Sequence, residues 1–348
     1  MKEKYYDGSK LLNKKDLEGE TPEIFICTGN RAAGKSYFFK RFLVNNFVKD
    51  NEQKFMVIFR KRDEMGDALT AFMEDIKTDD CFKHLLQFDY TSTTEMSGAY
   101  QVWTLNGVEM AYATYMNAAE KIKRSAARFI DTKWIFFDEV QSEVYAYVEN
   151  EVSKFISIHT SIARGNGKQS RYVPCILVGN SASMANPYFL TMGISERYVP
   201  QAKFIRGEGW VAEFTQNESA EKALKESRFN KAFQKNKYIQ YATENAFLLD
   251  YTNFVERMNL RGASFVWHFL VDGKHIGCWY LDHENMFYFC SKYDPSQRPV
   301  ALSKEDHDKT TLYMTVTVDR LRQFFDRGFI RFETLEISNL IIENLLKI

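Results

Sequence analysis

The sequence predicts an α/β protein built on a mainly parallel sheet, followed by a helical stretch and a β-rich tail. Three observations carry that prediction. Short apolar runs, IFICT (24–28), FMVIF (55–59), WIFF (134–137) and CILVG (175–179), are separated by helix-length segments, and uninterrupted apolar strands belong to parallel sheets covered on both faces. A Gly-rich loop joins the first run to an amphipathic helix. After about Arg197 comes a charged, Pro-free stretch, NESAEKALKESRFNKAFQKNK (217–237), and beyond Thr243 the runs become short and strand-like. For a chain of 348 residues this reads as a first domain over 1–197, a helical linker over 198–243 and a smaller α+β domain over 244–348.

The elements follow in order. From Ser36 the period changes, with Phe38, Phe39, Phe42, Leu43 and Phe47 at helical spacing. The strand FMVIF ends in the basic run Arg60-Lys61-Arg62. QVWTLNGVEMAYAT (101–114) reads as a hairpin, with Asn106-Gly107 supplying the positive φ values of a type I′ turn. WIFF ends in Asp138-Glu139, and a helix from about Asn150 carries Val152, Phe155, Ile156, His159 and Ile162 on one face. CILVG ends in Asn180-Ser181. Ser264–Val271, His275–Leu281 and Met286–Cys290 are short strands with Asp272-Gly273 at a turn, and helices around 315–327 and 333–347 close the chain.

Composition limits the function classes. Lys plus Arg and Asp plus Glu both number 46, so a static nucleic-acid coat, which needs a basic excess, is excluded, whereas a local or cyclic contact is not. The five cysteines are odd in number and none has CxxC spacing, which argues against a disulfide framework or zinc site. The start MKEKYYDGSK has no apolar core, and no run reaches the ~18 apolar residues of a membrane span. A cytosolic protein without membrane contact is expected.

The chemistry begins at Gly29-Asn30-Arg31-Ala32-Ala33-Gly34-Lys35-Ser36, which matches G-x4-G-K-[ST]. In such a loop the glycines let backbone N–H groups approach phosphates, the lysine reaches the β and γ oxygens, and the serine can hold Mg²⁺. A chance Gly-rich turn would not sit between a strand and a helix. Asp138-Glu139 follow four bulky apolar residues; two carboxylates at a strand end repel unless a cation lies near. With Mg²⁺ on Ser36, Asp138 is its carboxylate and Glu139 the group that orients and deprotonates water. The NKxD signature of a GTPase occurs only at Asn13-Lys14-Lys15-Asp16, ahead of the loop. Glu139 therefore favours an ATPase. Asn180 is either a γ-phosphate sensor at a strand's carboxyl end or a turn residue. Arg164 is either a cation at a helix C-terminus or an arginine finger for a neighbouring subunit, with Arg171 as competitor. Lys121, Lys123, Arg124 and Arg128 form either a solvated face or a contact to DNA phosphate or to a neighbouring active site.

The loop GNRAAGKSY, the run WIFFDE and especially CILVGNSASMANPYFL resemble the DNA-packaging ATPases of small short-tailed phages with protein-primed linear genomes, relatives of the large terminase motors. The resemblance extends through the hairpin SFVWHFLVDGKHIGCWYLDHENMFYF to the final helices. It implies an additional-strand, catalytic-glutamate P-loop domain and a C-terminal domain like a degenerate RNase H-type nuclease. It further implies a homo-oligomeric, pentameric ring that translocates double-stranded DNA. The ring would be docked on the portal (connector) of a prohead in the host cytoplasm, scaffolded by a packaging RNA and absent from the mature virion. In that frame Lys35 and Ser36 take the phosphate and Mg²⁺ roles, Asp138 and Glu139 the metal and water roles, and Arg31 the basic position inside the loop. Arg164 falls at the trans-acting arginine. The segment GNGKQSRYVP after it is longer than the family's, which leaves Arg171 in contention.

Two rival readings differ in class. One is an ATP-dependent assembly or partition switch. The other is a terminase-like motor that retains nuclease activity, which would need Asp250, Asp272 and Asp282 clustered around two metals. Asp272 and Asp282 fall where hairpin turns are expected, which favours turn acids on a scaffold that does not cut.

Overall fold

The apolar runs of the first half become strands because nearly every side chain in them is buried. In β1 (Ile24–Gly29), β2 (Lys54–Phe59), β6 (Thr132–Phe137) and β7 (Cys175–Asn180) the central residues face packed layers on both sides. The computed structural model describes residues 5–142, 146–165, 169–184, 186–198, 202–215, 217–232, 254–302, 306–313, 321, 323–325 and 327–346. The chain divides into two units, 1–248 and 249–348.

The remaining strands of the first unit are β3 (Tyr90–Glu95), β4 (Tyr100–Leu105), β5 (Val108–Tyr115), β8 (Phe204–Gly207) and β9 (Trp210–Thr215). Its described sheet runs β3-β4-β5-β2-β6-β7-β1-β9-β8. From β5 to β9 the six strands are parallel, and antiparallel hairpins extend both edges. Asn106 (φ 50°) and Gly107 (φ 78°) make the tight turn between β4 and β5.

Alternation along the strands assigns the two faces. Phe25, Phe55 and Phe136 share one core with Phe39 and Leu43 of α2 (Lys35–Lys49) and Phe72 of α3 (Ala68–Glu74). Phe137, one residue on, points to the other face. There it packs on Phe155 of α5 (Glu151–Ile162) and Tyr188 of α6 (Pro187–Thr191). The short helices α1 (Ser9–Leu12), α4 (Ala119–Arg124) and α7 (Ile194–Arg197) fill the connections. The helices α8 (Glu218–Glu226) and α9 (Arg228–Ala232) follow the last strand of this unit.

The second unit has β10 (Ser264–Val271), β11 (Lys274–Leu281), β12 (Met286–Cys290), β13 (Val300–Ala301), β14 (Leu312–Tyr313) and β15 (Ile330–Phe332), with α10 (Leu335–Ile341) after them. Its described sheet runs β14-β13-β10-β11-β12-β15: an antiparallel meander of three strands with parallel strands added on either side.

Two expectations need correction. The segment from 198 is not a helical linker throughout, because β8 and β9 lie in it and β9 pairs along all of β1, so the sheet extends to Thr215. Residues 233–243 fall outside the described residues. The apolar face of α5 is also rotated from the expected one. Glu151, Phe155, Ile158 and Ile162 are buried, whereas Ile156 is 53% exposed. Of the helix expected around 315–327, residues 321 and 323–325 are helical; 314–320, 322 and 326 lie outside the described residues.

Trp103 is fully buried, and its indole N–H donates to Gln101 Oε1 at 2.9 Å. Trp103→Ala is expected to cost about 3–5 kcal/mol, read as a lower denaturation midpoint with an unchanged slope.

Candidate functional site

The cradle forms where β1 ends. Gly29 is required there, because a Cβ on it would lie 2.1 Å from the Thr215 carbonyl of β9. The loop then turns through Ala32 (φ 58°) and Gly34 (φ 88°) into α2. Its carbonyls and the start of α2 hold Lys35. The Lys35 ammonium donates to Asn30 O at 2.6 Å, Gly29 O at 3.1 Å and Asn180 Oδ1 at 3.4 Å. Only 5% exposed, it is pulled below the ordinary lysine range by burial, with Asp138 acting in the opposite sense.

The opposite wall is the end of β6. Ser36 Oγ donates to Asp138 Oδ1 at 3.0 Å. Burial raises the Asp138 carboxyl above the usual aspartate range, against the lowering effects of Lys40, Ser36, the Glu139 N–H and Lys35. Glu139 is exposed and adopts a left-handed backbone (φ 59°). A cleft of about 250 Å³ separates the walls, with the loop from Ala32 to Ser36 on one side and Asp138, Glu139 and Asn180 on the other.

Two side chains that sequence reasoning passed over hold this turn in place. Arg60, 7% exposed, donates to the carbonyls of Glu139 and Val140 at 3.0 Å each and pairs with Glu151 at 3.0 Å. Glu151 also accepts from Tyr188 Oη and the Val148 N–H, so the buried ion pair has further hydrogen-bond partners. Gln141 donates to Thr28 Oγ1 at 2.7 Å and accepts from the N–H groups of Ala182 and Ser183, tying β1, the acidic turn and the loop after β7 together. Arg60 appeared only as part of a basic run, and Gln141 carried no pattern. Their partners are 41 to 113 positions away.

The other candidates divide. Asn180 lies at the cleft beside Lys35. Arg31 is close enough to Lys35 to depress its affinity for a proton. Arg164 lies beyond the end of α5, exposed and outside the cleft of its own chain. Arg171 folds back on α5 instead, its guanidinium donating to Ile162 O at 2.6 Å and its N–H to Ala163 O at 2.7 Å. Arg128 is held by Glu109, whereas Lys121, Lys123 and Arg124 are exposed. In the second unit Asp272 (φ 50°) and Asp282 stand at opposite ends of β11, a separation of roughly 25 Å for such a strand. They cannot share a metal pair. Asp250 falls outside the described residues.

The sequence profile described as "Podovirus DNA encapsidation protein (Gp16)" matches residues 1–348. The chain belongs to this family. Among the relatives of this Gp16-family chain, the "DNA packaging protein" of Bacillus phage phi29 is 23% identical over 349 residues, spanning 97% of this chain and 96% of the relative. That of Bacillus phage B103 is 23% identical over 317 residues, spanning 88% and 91%. The fold is similar to a chain of the structure titled "The bacteriophage Phi-29 viral genome packaging motor assembly", with a TM-score of 0.66 at 20% identity over 97% of this chain and 98% of that one. It is also similar to a chain of "The Phi-28 gp11 DNA packaging Motor", with a TM-score of 0.56 at 16% identity over 99% of both.

The folded chain holds a proton on Asp138 in a pH window where the unfolded chain has lost it. Ionisation there erodes stability as pH rises through that window. Asp138→Asn removes that cost. The nucleotide-free variant is expected to melt no lower than wild type at neutral pH and to lose stability less as pH rises from the ordinary aspartate range. Thermal scans across pH check this. A clearly lower melting temperature would mean that the carboxylate's bonds to Ser36 and Glu139 outweigh its burial.

Proposed function

We propose that this Gp16-family chain is an ATPase that drives double-stranded viral DNA into a preformed prohead. It would work as a homo-oligomeric, pentameric ring at the portal (connector), with a structural packaging RNA as scaffold. It would act in the host cytoplasm and leave before the virion matures. The observation that carries this reading is the meeting of Lys35 and Ser36 with Asp138 and Glu139 across one cleft. Support comes also from β7, the strand inserted between β1 and β6, as an additional-strand, catalytic-glutamate P-loop domain requires. The names of the relatives and of the similar assemblies point to packaging.

The Ser36 hydroxyl and the Asp138 carboxylate, 3.0 Å apart on the cleft wall, are the hard oxygen donors that suit Mg²⁺. These two residues would hold the ion, which supplies charge neutralisation for the β and γ phosphates. Lys35 would exchange its carbonyl partners for the phosphate oxygens, and the loop N–H groups would bind the rest of the triphosphate. Glu139 orients a water on the γ-phosphorus and takes its proton as the P–O bond to ADP breaks, releasing phosphate. Asn180, already within reach of Lys35, would sense the γ-phosphate. Arg164, exposed and outside its own cleft, would reach the neighbour's nucleotide, whereas Arg171 is engaged in closing α5. In the second unit, the three-strand meander flanked by parallel strands suits a vestigial nuclease-like scaffold, and its separated acids suit a motor that does not cut.

Glu139→Gln is expected to keep ATP binding but lower kcat by roughly 10²–10⁴-fold, the usual worth of a positioned general base. ATP-dependent protection of DNA from nuclease in the presence of proheads should vanish with it. Protection that survives the substitution would sink the motor and leave the assembly-switch reading.

Arg164→Ala should lower hydrolysis by about 10³-fold or more. Mixing Arg164→Ala subunits with Glu139→Gln subunits should restore part of it, since each supplies what the other's interface lacks. No recovery in the mixture would remove Arg164 from a role in trans.

A further inference from the structure

The phosphate loop is tied to a helix that its own chemistry does not require. Asn30, 1% exposed, and Asn217 are joined in both directions: the Asn217 N–H donates to Asn30 Oδ1 at 3.2 Å and Asn30 Nδ2 donates to Asn217 O at 3.4 Å. The Asn217 side chain does two further things. Its Oδ1 accepts from the Ala220 N–H at 3.1 Å, which caps α8, and its Nδ2 donates to Ala33 O at 3.3 Å. The Tyr6 N–H donates to that same Ala33 carbonyl at 3.0 Å.

The geometry of one peptide group makes this consequential. In a trans peptide the C=O and the following N–H point in opposite directions. Two donors holding Ala33 O from outside therefore aim the Gly34 N–H inward, toward the position of a bound phosphate. On the other side of the loop, Lys35 holds Asn30 O at 2.6 Å. That bond must break when the ammonium turns to a triphosphate, and Asn30 is the residue that grips α8. The helix has little else to hold it: among its residues with described side chains none is fully buried and Ser219, Ala220, Glu221 and Leu224 are half-buried, and a nine-residue helix with so little burial is marginal.

We propose that Asn217 is a positioning residue of the phosphate loop, and that the Asn30–Asn217 pair makes the order of α8 depend on whether Lys35 holds the loop or a nucleotide. This rests on the nucleotide-binding reading above. Occupancy of the cleft is thereby transmitted to the segment that continues toward the second unit along the chain.

The test uses the full chain with ATPγS and Mg²⁺. Asn217→Ser keeps a capping oxygen and both backbone bonds to Asn30 but loses the donor to Ala33 O. It should weaken ATPγS binding and raise KM about tenfold, the scale of one well-placed hydrogen bond, with kcat less affected and the nucleotide-free melting temperature close to wild type. Asn217→Asp, which caps as well but turns a carboxylate toward Ala33 O, should weaken binding further. In hydrogen exchange, ATPγS should change the protection of the amides of 219–226 in wild type, and Asn30→Ala should abolish that response.

Wild-type affinity in both Asn217 variants, or α8 exchange that ignores ATPγS in a wild-type chain shown to bind it, would overturn the inference. A lowered melting temperature with unchanged KM would make Asn217 merely structural and would also overturn it. A wild-type chain that binds no ATPγS would instead remove the nucleotide site itself, and this inference with it.

Discussion

The parallel register of β1, β7 and β6 is the constraint on which the site depends. Gly29 pairs with Asn180, and Phe137 with Leu177. The phosphate loop, the Asn180 loop and the Asp138-Glu139 turn therefore leave the sheet within two residue levels of one another, all at the carboxyl edge. A shift of one residue in β7 would reverse its faces and carry Asn180 away from Lys35. Close packing fixes the register: Gly29 admits the Thr215 carbonyl, and a Cβ on Gly179 would crowd Val140 and Gln141 at 3.2–3.3 Å. Once the three loops share an edge, a cation, a hydroxyl and two carboxylates face one small space.

That space is costly to maintain. Lys35 and Asp138 are both shifted toward their neutral forms by burial. Ala32 and Glu139 hold left-handed backbones that cost about 1–3 kcal/mol each for ordinary residues. The surroundings maintain these states through specific bonds. Arg60 holds the two carbonyls of the acidic turn, Glu151 holds Arg60, and Gln141 holds the Asn180 loop. Tyr188, from the NPYFL stretch, completes the Glu151 contacts. NPYFL thus serves the acidic turn from behind, through the other face of the sheet, whereas Asn180 in the same run lines the cleft.

How much of this was legible follows from the range of the interactions. The four strands with continuous apolar runs, the Asn106-Gly107 turn and the cradle are local patterns, and they stand where the sequence placed them. Strand β3 was missed because YTSTTE lies mostly exposed at the sheet edge and carries no apolar alternation. Strand β9 was missed for the opposite reason. Its Glu213 is 1% exposed, accommodated by a hydrogen bond from Tyr6, 207 positions away. The phase of α5 went wrong at Glu151, which reads as a solvent residue until Arg60 is known to meet it. Arg164 and its competitor Arg171 differ in a way the sequence does not show, because Arg171 is bonded to the carbonyl of Ile162 at the end of α5.

The strength of the bonds that hold the cradle also bears on what it can do. Lys35 is kept by two loop carbonyls and an amide, and Ser36 by one carboxylate oxygen. On the proposed reading, a triphosphate would offer the Lys35 ammonium ionised oxygens in place of neutral carbonyls, adding charge–charge attraction to bonds that already have a charged donor. The exchange therefore favours the ligand without leaving Lys35 unpaired in either state. A buried ammonium with no partner would cost several kcal/mol, and a permanent ion pair with Asp138 would compete with any anionic ligand. Neutral carbonyls avoid both difficulties. They satisfy the lysine and, on the proposed reading, would release it to an incoming phosphate; because one of them belongs to Asn30, that release would be felt beyond the loop.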